Sequence, residues 1–391
     1  MPPLNVLTLS TLFPTDAQPN FGIFVERQTR ALAARDGVTV TVLAPVGLPP
    51  FPLDRLPHYA ARRHLPPVQE RNGLTVHRPR FPVLPGTGGR WTAPMLGRAI
   101  APLAHRLHAE TPFDVIDASF FFPDGPAAGR LSAMLGIPFS VKARGADIHH
   151  WGTMPATKAA VWSAGQHAAG MLAVSAAMRE SMIALGMPED RIHVHYTGVD
   201  LDRFAPGDRA AAKAARGLSG PVIATVGALI PRKGQALVID ALATLPGATL
   251  LLIGEGPDRD ALATQAERLG LAHRVRILGP VPHADLPGWL GAADVMCLPS
   301  ASEGLANAWV EALACGTPIV ITDVGGAREL LDGPGAGRIV ARESGAIAGG
   351  IATILADPPD PETVRAPALR FTWEANAVAL EAHLRACANH S

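Results

Sequence analysis

Residues 300–316, SEGLANAWVEALACGTP, place Glu303 and Glu311 on one otherwise apolar stretch. Two carboxylates so spaced raise two chemistries: accepting hydrogen bonds from the hydroxyls of a ligand, or the acid–base pair of a glycoside hydrolase. The preceding DVMCLPS reads as a buried strand ending at Pro299 and Ser300, after which ASEGLAN turns into a helix running to about Ala314. Gly316 is placed to end that helix, and Pro318 prevents its continuation. Glu303 is therefore expected in the strand-to-helix loop, at the carboxyl end where open parallel sheets bind ligands, beside helix N–H groups that suit a phosphate. Glu311 is expected about two turns into the helix. Facing solvent, it is an ordinary surface glutamate. Buried among Ala308, Trp309, Val310, Ala312, Leu313 and Ala314, it needs hydrogen-bond donors, and the paired hydroxyls of a ribose would serve. The hydrolase reading fares worse, because its carboxylates must flank a bond from opposite sides, whereas these belong to one loop and the helix that follows it.

VGALIPRKGQALVIDAL, residues 226–242, reads as strand, short loop and helix, with Arg232, Lys233 and Gly234 at the junction. Only four of the chain's 34 basic residues are lysines. A cation beside a helix N-terminus opposes the helix dipole unless an anion binds there, so this turn is either an anion site or a solvated basic turn. Gly22 follows the first strand and precedes a helix, where backbone can approach a ligand closely or simply turn. KARGADIHHWG, residues 142–152, puts Arg144, Asp147, His149 and His150 just past another strand. Adjacent histidines rarely chelate together, so no metal is expected.

The elements that must position these residues come in two series. LNVLTLS (4–10), VTVTVLAP (38–45), LTVHRPR (74–80), DVIDAS (114–119), IPFSVKAR (137–144), GMLAVS (170–175) and RIHVHYTG (191–198) are continuous apolar runs separated mostly by helical patterns. Strands of that kind are buried on both faces of a mainly parallel sheet. After the Gly/Asp/Pro-bearing YTGVDLDRFAPGDRA the pattern restarts with strands at 221–227, 248–256, 274–279, 294–300 and 318–324. Two successive βαβ series imply two doubly wound α/β domains with a cleft between them. Residues 45–70 and 79–90, rich in Pro, Gly and Arg, show weak periodicity and read as loops, either plain surface or walls of an acceptor pocket.

A length of 391 residues also exceeds what one core usually supports, and 48% hydrophobic against 17% charged residues excludes a disordered chain. Zero formal net charge argues against a nucleic-acid partner. The halves differ: residues 1–197 carry 18 Lys and Arg against 13 Asp and Glu, and residues 198–391 carry 16 against 21. The basic half, including Arg62, Arg63, Arg71, Arg78 and Arg80, could approach something anionic, or these arginines are simply solvated. Cys297, Cys315 and Cys387 are odd in number and set among apolar neighbours, which suits free thiols in a reducing compartment. The N-terminus lacks the basic region of a signal peptide, and no apolar run approaches the ~18 residues of a membrane span. A cytoplasmic location is expected; peripheral contact with a membrane stays open.

Taken jointly, PNFGIFVERQTRAL, ARGADI, HVHYTGVDLDRFAP, GALIPRKG, LLIGEGPDRDAL, RVRILGPV, AADVMCLPSASEGLANAWVEALACGTPIVITDVGG and FTWEANAVALEAHL resemble, in order and over nearly the whole chain, the retaining glycosyltransferases of family four. The two glutamates with the CGTP tail are the most specific part. The resemblance implies the α/β GT-B fold: an acceptor-binding Rossmann-like domain over 1–197, a nucleotide-sugar domain over 198–370 facing it across the cleft, and a helix over 371–391 that crosses back to the first domain. It implies that Glu311 binds ribose hydroxyls, Glu303 contacts the donor sugar, and Arg232 and Lys233 hold the diphosphate. Backbone at Gly304, Leu305, Ala306 and Asn307 completes the cradle, the base lies near Val281, and Gly22 approaches the diphosphate. Arg144 and Asp147 join the catalytic group, Asp147 as the residue that orients Arg144. The partners implied are a nucleoside-diphosphate sugar, UDP- or GDP-linked, as co-substrate, and a glycan, lipid-linked or small-molecule acceptor in envelope or exopolysaccharide synthesis, with no metal and no cofactor. Two positions depart from the family pattern: Ala228 stands where many members have arginine, so that Arg232 would substitute for that cation, and Arg144 stands where many have histidine. A guanidinium is no base near neutral pH, so Arg144 suits contacts to sugar hydroxyls or phosphate. A noncatalytic nucleotide-binding protein is the remaining alternative, its nicotinamide version weakened by the want of a strong G-x-G-x-x-G after the first strand.

Overall fold

In the computed structural model, which describes residues 2–389 apart from the side chain of His58, the β-branched runs form two separate, mainly parallel large sheets, together with a two-stranded sheet. The chain divides into two compact units, residues 1–198 with 373–391 and residues 199–372. His390 and Ser391, at the end of the helix expected over 371–391, lie outside the described residues.

The first unit holds β1 (Leu4–Leu9), β2 (Val38–Leu43), β3 (Val46–Leu48), β4 (Val68–Arg71), β5 (Leu74–His77), β6 (Arg80–Pro82), β7 (Val115–Ala118), β8 (Phe139–Ala143), β9 (Gly170–Ala173) and β10 (Ile192–Val194). Eight of them form a sheet in the order β10-β9-β8-β7-β1-β2-β5-β4, parallel except for the β4–β5 hairpin. Period-two alternation sends Phe139, Val141 and Ala143 into one core, while Ser140 and Lys142 face the other side of the sheet. On that other side the helices Ile23–Ala33 and Trp373–Ala388 pack, and Leu380, Leu384 and Cys387 meet Val6 and Val115. Residues expected as loops instead contain the parallel pair β3–β6, the strand β4 and the helix Pro57–Arg63. Strands of three or four residues are too short to display alternation, which is why the pattern hid them.

The second unit holds β11 (Val222–Val226), β12 (Thr249–Ile253), β13 (Val275–Gly279), β14 (Val295–Leu298), β15 (Ile319–Thr322) and β16 (Gly337–Val340), in one all-parallel sheet ordered β13-β12-β11-β14-β15-β16. The order reverses between β11 and β14, so the topological switch point lies there, and the loops leaving these two strands carry the residues singled out above. The three cysteines are buried and free. Among the described residues, no helix is long and apolar enough to cross a membrane.

Candidate functional site

β11 leads through Gly227 into a short 3-10 turn, Pro231–Lys233, and then the helix Gln235–Leu242. Gly234 joins turn and helix at φ 76°, and a Cβ there would lie 2.5 Å from the carbonyl oxygen of Pro299, so only glycine lets the two loops approach this closely. Several bonds then fasten them. Ala301 N–H donates to Arg232 O at 2.8 Å, the Arg232 guanidinium donates to Ser302 O, and Arg342 donates to Pro299 O at 3.0 Å and to Pro231 O at 2.9 Å. From the far side Gly326 N–H donates to Gly304 O at 2.7 Å.

The fastening brings Arg232, Lys233 and Glu303 together. Glu303 is only 8% exposed; its Oε1 contacts Lys233 Nζ directly and lies 3.6 Å from Arg232 Nη1. Lys233 reaches it by lying over the backbone of Gly227. Two cations against one carboxylate leave a positive excess. The helix Asn307–Ala314 begins just beyond, its cap residue Ala306 supplying no side-chain acceptor; Trp309 N–H donates to Ala306 O at 3.0 Å, and the end of the helix that favours anions faces this loop. Gly304, Leu305, Ala306 and Asn307 all belong to this loop-to-helix passage. Ala228 is exposed, and its carbonyl accepts from Gln235 Nε2 at 2.9 Å.

Glu311 lies a little over one turn into its helix, not two, because residues up to Ala306 remain outside the helix. It is buried at 9% exposure, which excludes the surface alternative. Its Oε1 accepts from His283 Nε2 at 2.7 Å, the imidazole carrying its proton on that nitrogen because an ionised carboxylate only accepts. The His283 ring packs edge-on against the buried Phe204, with centroids 5.2 Å apart. Arg365 donates to the carbonyls of Phe204 at 2.8 Å and Leu201 at 2.8 Å, and to Ala314 at 2.6 Å, so one guanidinium ties the Phe204 loop to the carboxyl end of the Glu311 helix. His283 was missed by sequence reasoning; its only signal was its place two residues beyond Val281, which is half-buried in the same loop. Glu303 and Glu311 thus hold different partners, and neither is arranged as the partner of the other in a hydrolytic pair.

In the first unit Gly22 caps the helix Ile23–Ala33 at φ 71°, and a Cβ there would lie 2.4 Å from Leu12 O. Arg144 follows β8; its Nε donates to Ser119 O at 2.8 Å and its guanidinium stacks on Phe24 at 4.8 Å. Burial lowers its pKa to about 10, which leaves it cationic at neutral pH. Asp147 orients the turn rather than the guanidinium. Its carboxylate accepts from the backbone N–H of Arg144 at 3.0 Å, Gly145 at 2.7 Å and Phe121 at 3.2 Å, and burial raises its pKa. His149 and His150 are exposed. Beneath Arg144 lies a buried polar group that the sequence did not reveal: Lys142 Nζ lies 2.5 Å from His195 Nδ1 and 3.2 Å from Gln28 Oε1, and His195 Nε2 meets Asn376 O at 2.9 Å. Burial lowers the pKa of both Lys142 and His195 well below their usual ranges.

Residues 208–369 match the family described as Glycosyl transferases group 1, and residues 22–203 match Glycosyltransferase Family 4. A putative teichuronic acid biosynthesis glycosyltransferase, TuaC, of Bacillus subtilis is 29% identical over 339 residues, 84% of this chain and 83% of that protein. A D-inositol 3-phosphate glycosyltransferase of Mycobacterium tuberculosis is 44% identical over 149 residues, which are 36% of this chain and 31% of the relative. Among solved structures, sucrose-phosphate synthase from Thermosynechococcus elongatus superimposes with a TM-score of 0.82 at 22% identity, covering 99% of this chain and 100% of that one. Anabaena HepE in complex with UDP and glucose gives 0.75 at 23% identity, covering 98% and 99%. At such identities the structural likeness shows the fold, two Rossmann-like α/β domains of the GT-B type.

Proposed function

Since the chain belongs to glycosyltransferase family four, its two halves matching the two family profiles, we propose that it transfers a sugar from a UDP- or GDP-linked donor to an acceptor hydroxyl with retention at the anomeric carbon. The observation that carries this reading is the meeting of Lys233, Arg232 and Glu303 at the switch point of the second sheet, with the buried Glu311 on the helix that follows.

On this reading the diphosphate takes up Lys233 and Arg232 and the amides at Gly304, Leu305, Ala306 and Asn307. Glu311 engages ribose hydroxyls, with His283 and Phe204 holding the carboxylate in place, and the base lies near Val281. Departure of the diphosphate from a carbon gaining positive charge is the demanding step. Preorganised cations and amides stabilise the charge that develops on the leaving oxygen. The C1–O bond to phosphate breaks, the acceptor oxygen bonds C1 on the same face, and the acceptor proton passes to the leaving phosphate oxygen, so no side chain need act as base. Glu303 has a double task, holding Lys233 extended before the donor arrives and facing the donor sugar afterwards. Roles toward the donor for Gly22, Arg144 and Asp147 rest on the family resemblance alone.

HepE with bound UDP and glucose, and the teichuronic acid assignment of the Bacillus relative, support a nucleotide-sugar donor and a glycan product of the cell envelope. We place the work at the cytoplasmic side, without metal or cofactor. Thermal unfolding with UDP, GDP and NAD tests the donor class, because a ligand at 100 times its dissociation constant adds ~2.7 kcal/mol of stability. Stabilisation by NAD alone would overturn the reading.

A further inference from the structure

In the first unit a cavity of about 260 Å³ opens at the carboxyl ends of β1 and β2. Phe13, Phe21 and Phe81 give it apolar walls; Tyr59 and Arg62 enter from the helix Pro57–Arg63, and Arg78 from the stretch after β5. No Asp or Glu lines it among the described residues.

Arg78 is the unusual member. It is 3% exposed, yet among the described residues its guanidinium meets only neutral acceptors, Pro14 O at 2.7 Å and Gln69 Oε1 at 3.4 Å, and its buried Nε has no partner. The nearby carboxylates are engaged elsewhere: Asp16 and Glu26 bind Arg71 at 2.6 and 2.9 Å, and Asn72 also donates to Glu26, at 2.6 Å. Phe13 flanks the guanidinium, its centroid 6.0 Å away, so the ring excludes water without supplying counter-charge. A buried cation lacking an ion partner is unfavourable, and an oxyanion entering the cavity would relieve it through the planar fork that suits phosphate and carboxylate.

We propose that this cavity binds an oxyanion, phosphate or carboxylate, joined to an apolar or ring-bearing group, with Arg78 and Arg62 meeting the charge and the aromatic walls meeting the rest. Resting on the glycosyltransferase reading above, this group is the anionic part of the acceptor. The occupant is thus an acidic sugar, a sugar phosphate or a lipid phosphate, as opposed to a neutral sugar.

Calorimetry on the full chain, with and without saturating UDP, uses phenyl phosphate and phenylacetate as the two anion arms and phenyl β-glucoside as the neutral control. Saturable binding of either anion is expected, with the glucoside weaker by roughly tenfold or more and a similar loss in Arg62→Gln and in Arg78→Gln. The tighter arm identifies the oxyanion. Arg62 is half-buried on a short helix, so Arg62→Gln keeps the test decisive if Arg78→Gln fails to fold. Equal affinity for the glucoside, no binding of either anion, or undiminished binding in Arg62→Gln would overturn the proposal. UDP affinity, measured separately, is expected to stay unchanged in Arg62→Gln. Absence of both UDP and GDP binding to the unmodified chain while the anions still bind would instead sink the donor reading.

Discussion

His283 Nε2 and Glu311 Oε1 lie 2.7 Å apart, and the imidazole is itself braced by Phe204. The carboxylate among apolar neighbours therefore has a fixed donor before any ligand arrives, which meets the requirement that a buried carboxylate be hydrogen-bonded. Removing Glu311 and removing its support should have separable effects.

Glu311→Ala should weaken nucleoside-diphosphate binding by about tenfold to a hundredfold, the loss expected for hydrogen bonds to a charged group, while the turnover of bound donor changes less. His283→Ala should raise the donor KM with kcat nearly unchanged, and His283→Gln, which keeps a donor, should recover part of the loss. Kinetics over donor concentration separate the two parameters, and an unchanged KM in both His283 variants would deny it the positioning role.

Lys233→Ala should lower donor binding and also reduce kcat by roughly a hundredfold or more, since it removes a preorganised cation from the leaving group. Glu303→Gln should act chiefly on kcat, because shape is kept while the charge that holds Lys233 extended is lost. Steady-state kinetics with donor and acceptor varied in turn distinguish these patterns.

Gly234→Ala should destabilise the second unit by at least about 1–3 kcal/mol, because φ 76° is disfavoured for a side chain and the new Cβ would press on Pro299 O. Denaturant unfolding measures it; a neutral result would mean that the two loops are not held in this register.

Asp124 offers a pH test of the first unit. It is fully buried, both oxygens accept from Thr11 N–H at 3.1 to 3.2 Å, and burial pushes its pKa up to about 7. Between its unfolded value near 4 and about 7 the folded state keeps a proton that the unfolded chain has released, so this group's contribution to stability is full below pH 4 and is lost as pH rises to 7. Asp124→Asn stays neutral and can still accept from Thr11. Its melting temperature relative to the unmodified protein should therefore be more favourable at pH 8 than at pH 4.5, and a pH-independent difference would refute the assignment.

Much of the second unit was readable because each boundary carries its own chemical mark. Pro299 ends a strand, Gly316 and Pro318 stop a helix, and the glutamates fall between them at fixed distances along the chain. Partners that converge only in space left no such trace. His283 lies 28 residues from Glu311 in a loop without periodicity, and Lys142 lies 114 residues from Gln28 and 53 from His195. The three-residue strands β3 and β6 were invisible for a different reason: a pattern of period two needs more than three residues to show itself.

Metal independence separates the account from a metal-assisted alternative. Extensive chelation with EDTA should leave turnover intact if Lys233, Arg232 and backbone amides carry the leaving charge. Activity lost on chelation and restored by magnesium or manganese would assign that task to an ion.

The most direct test of the central claim is calorimetric titration of UDP and GDP into the unmodified chain, Glu311→Ala and Lys233→Ala, with folding checked by circular dichroism. The account predicts saturable binding of at least one nucleotide to the unmodified protein and a loss of roughly tenfold or more in each variant. Binding of neither nucleotide, or equal affinity across all three folded proteins, would contradict it.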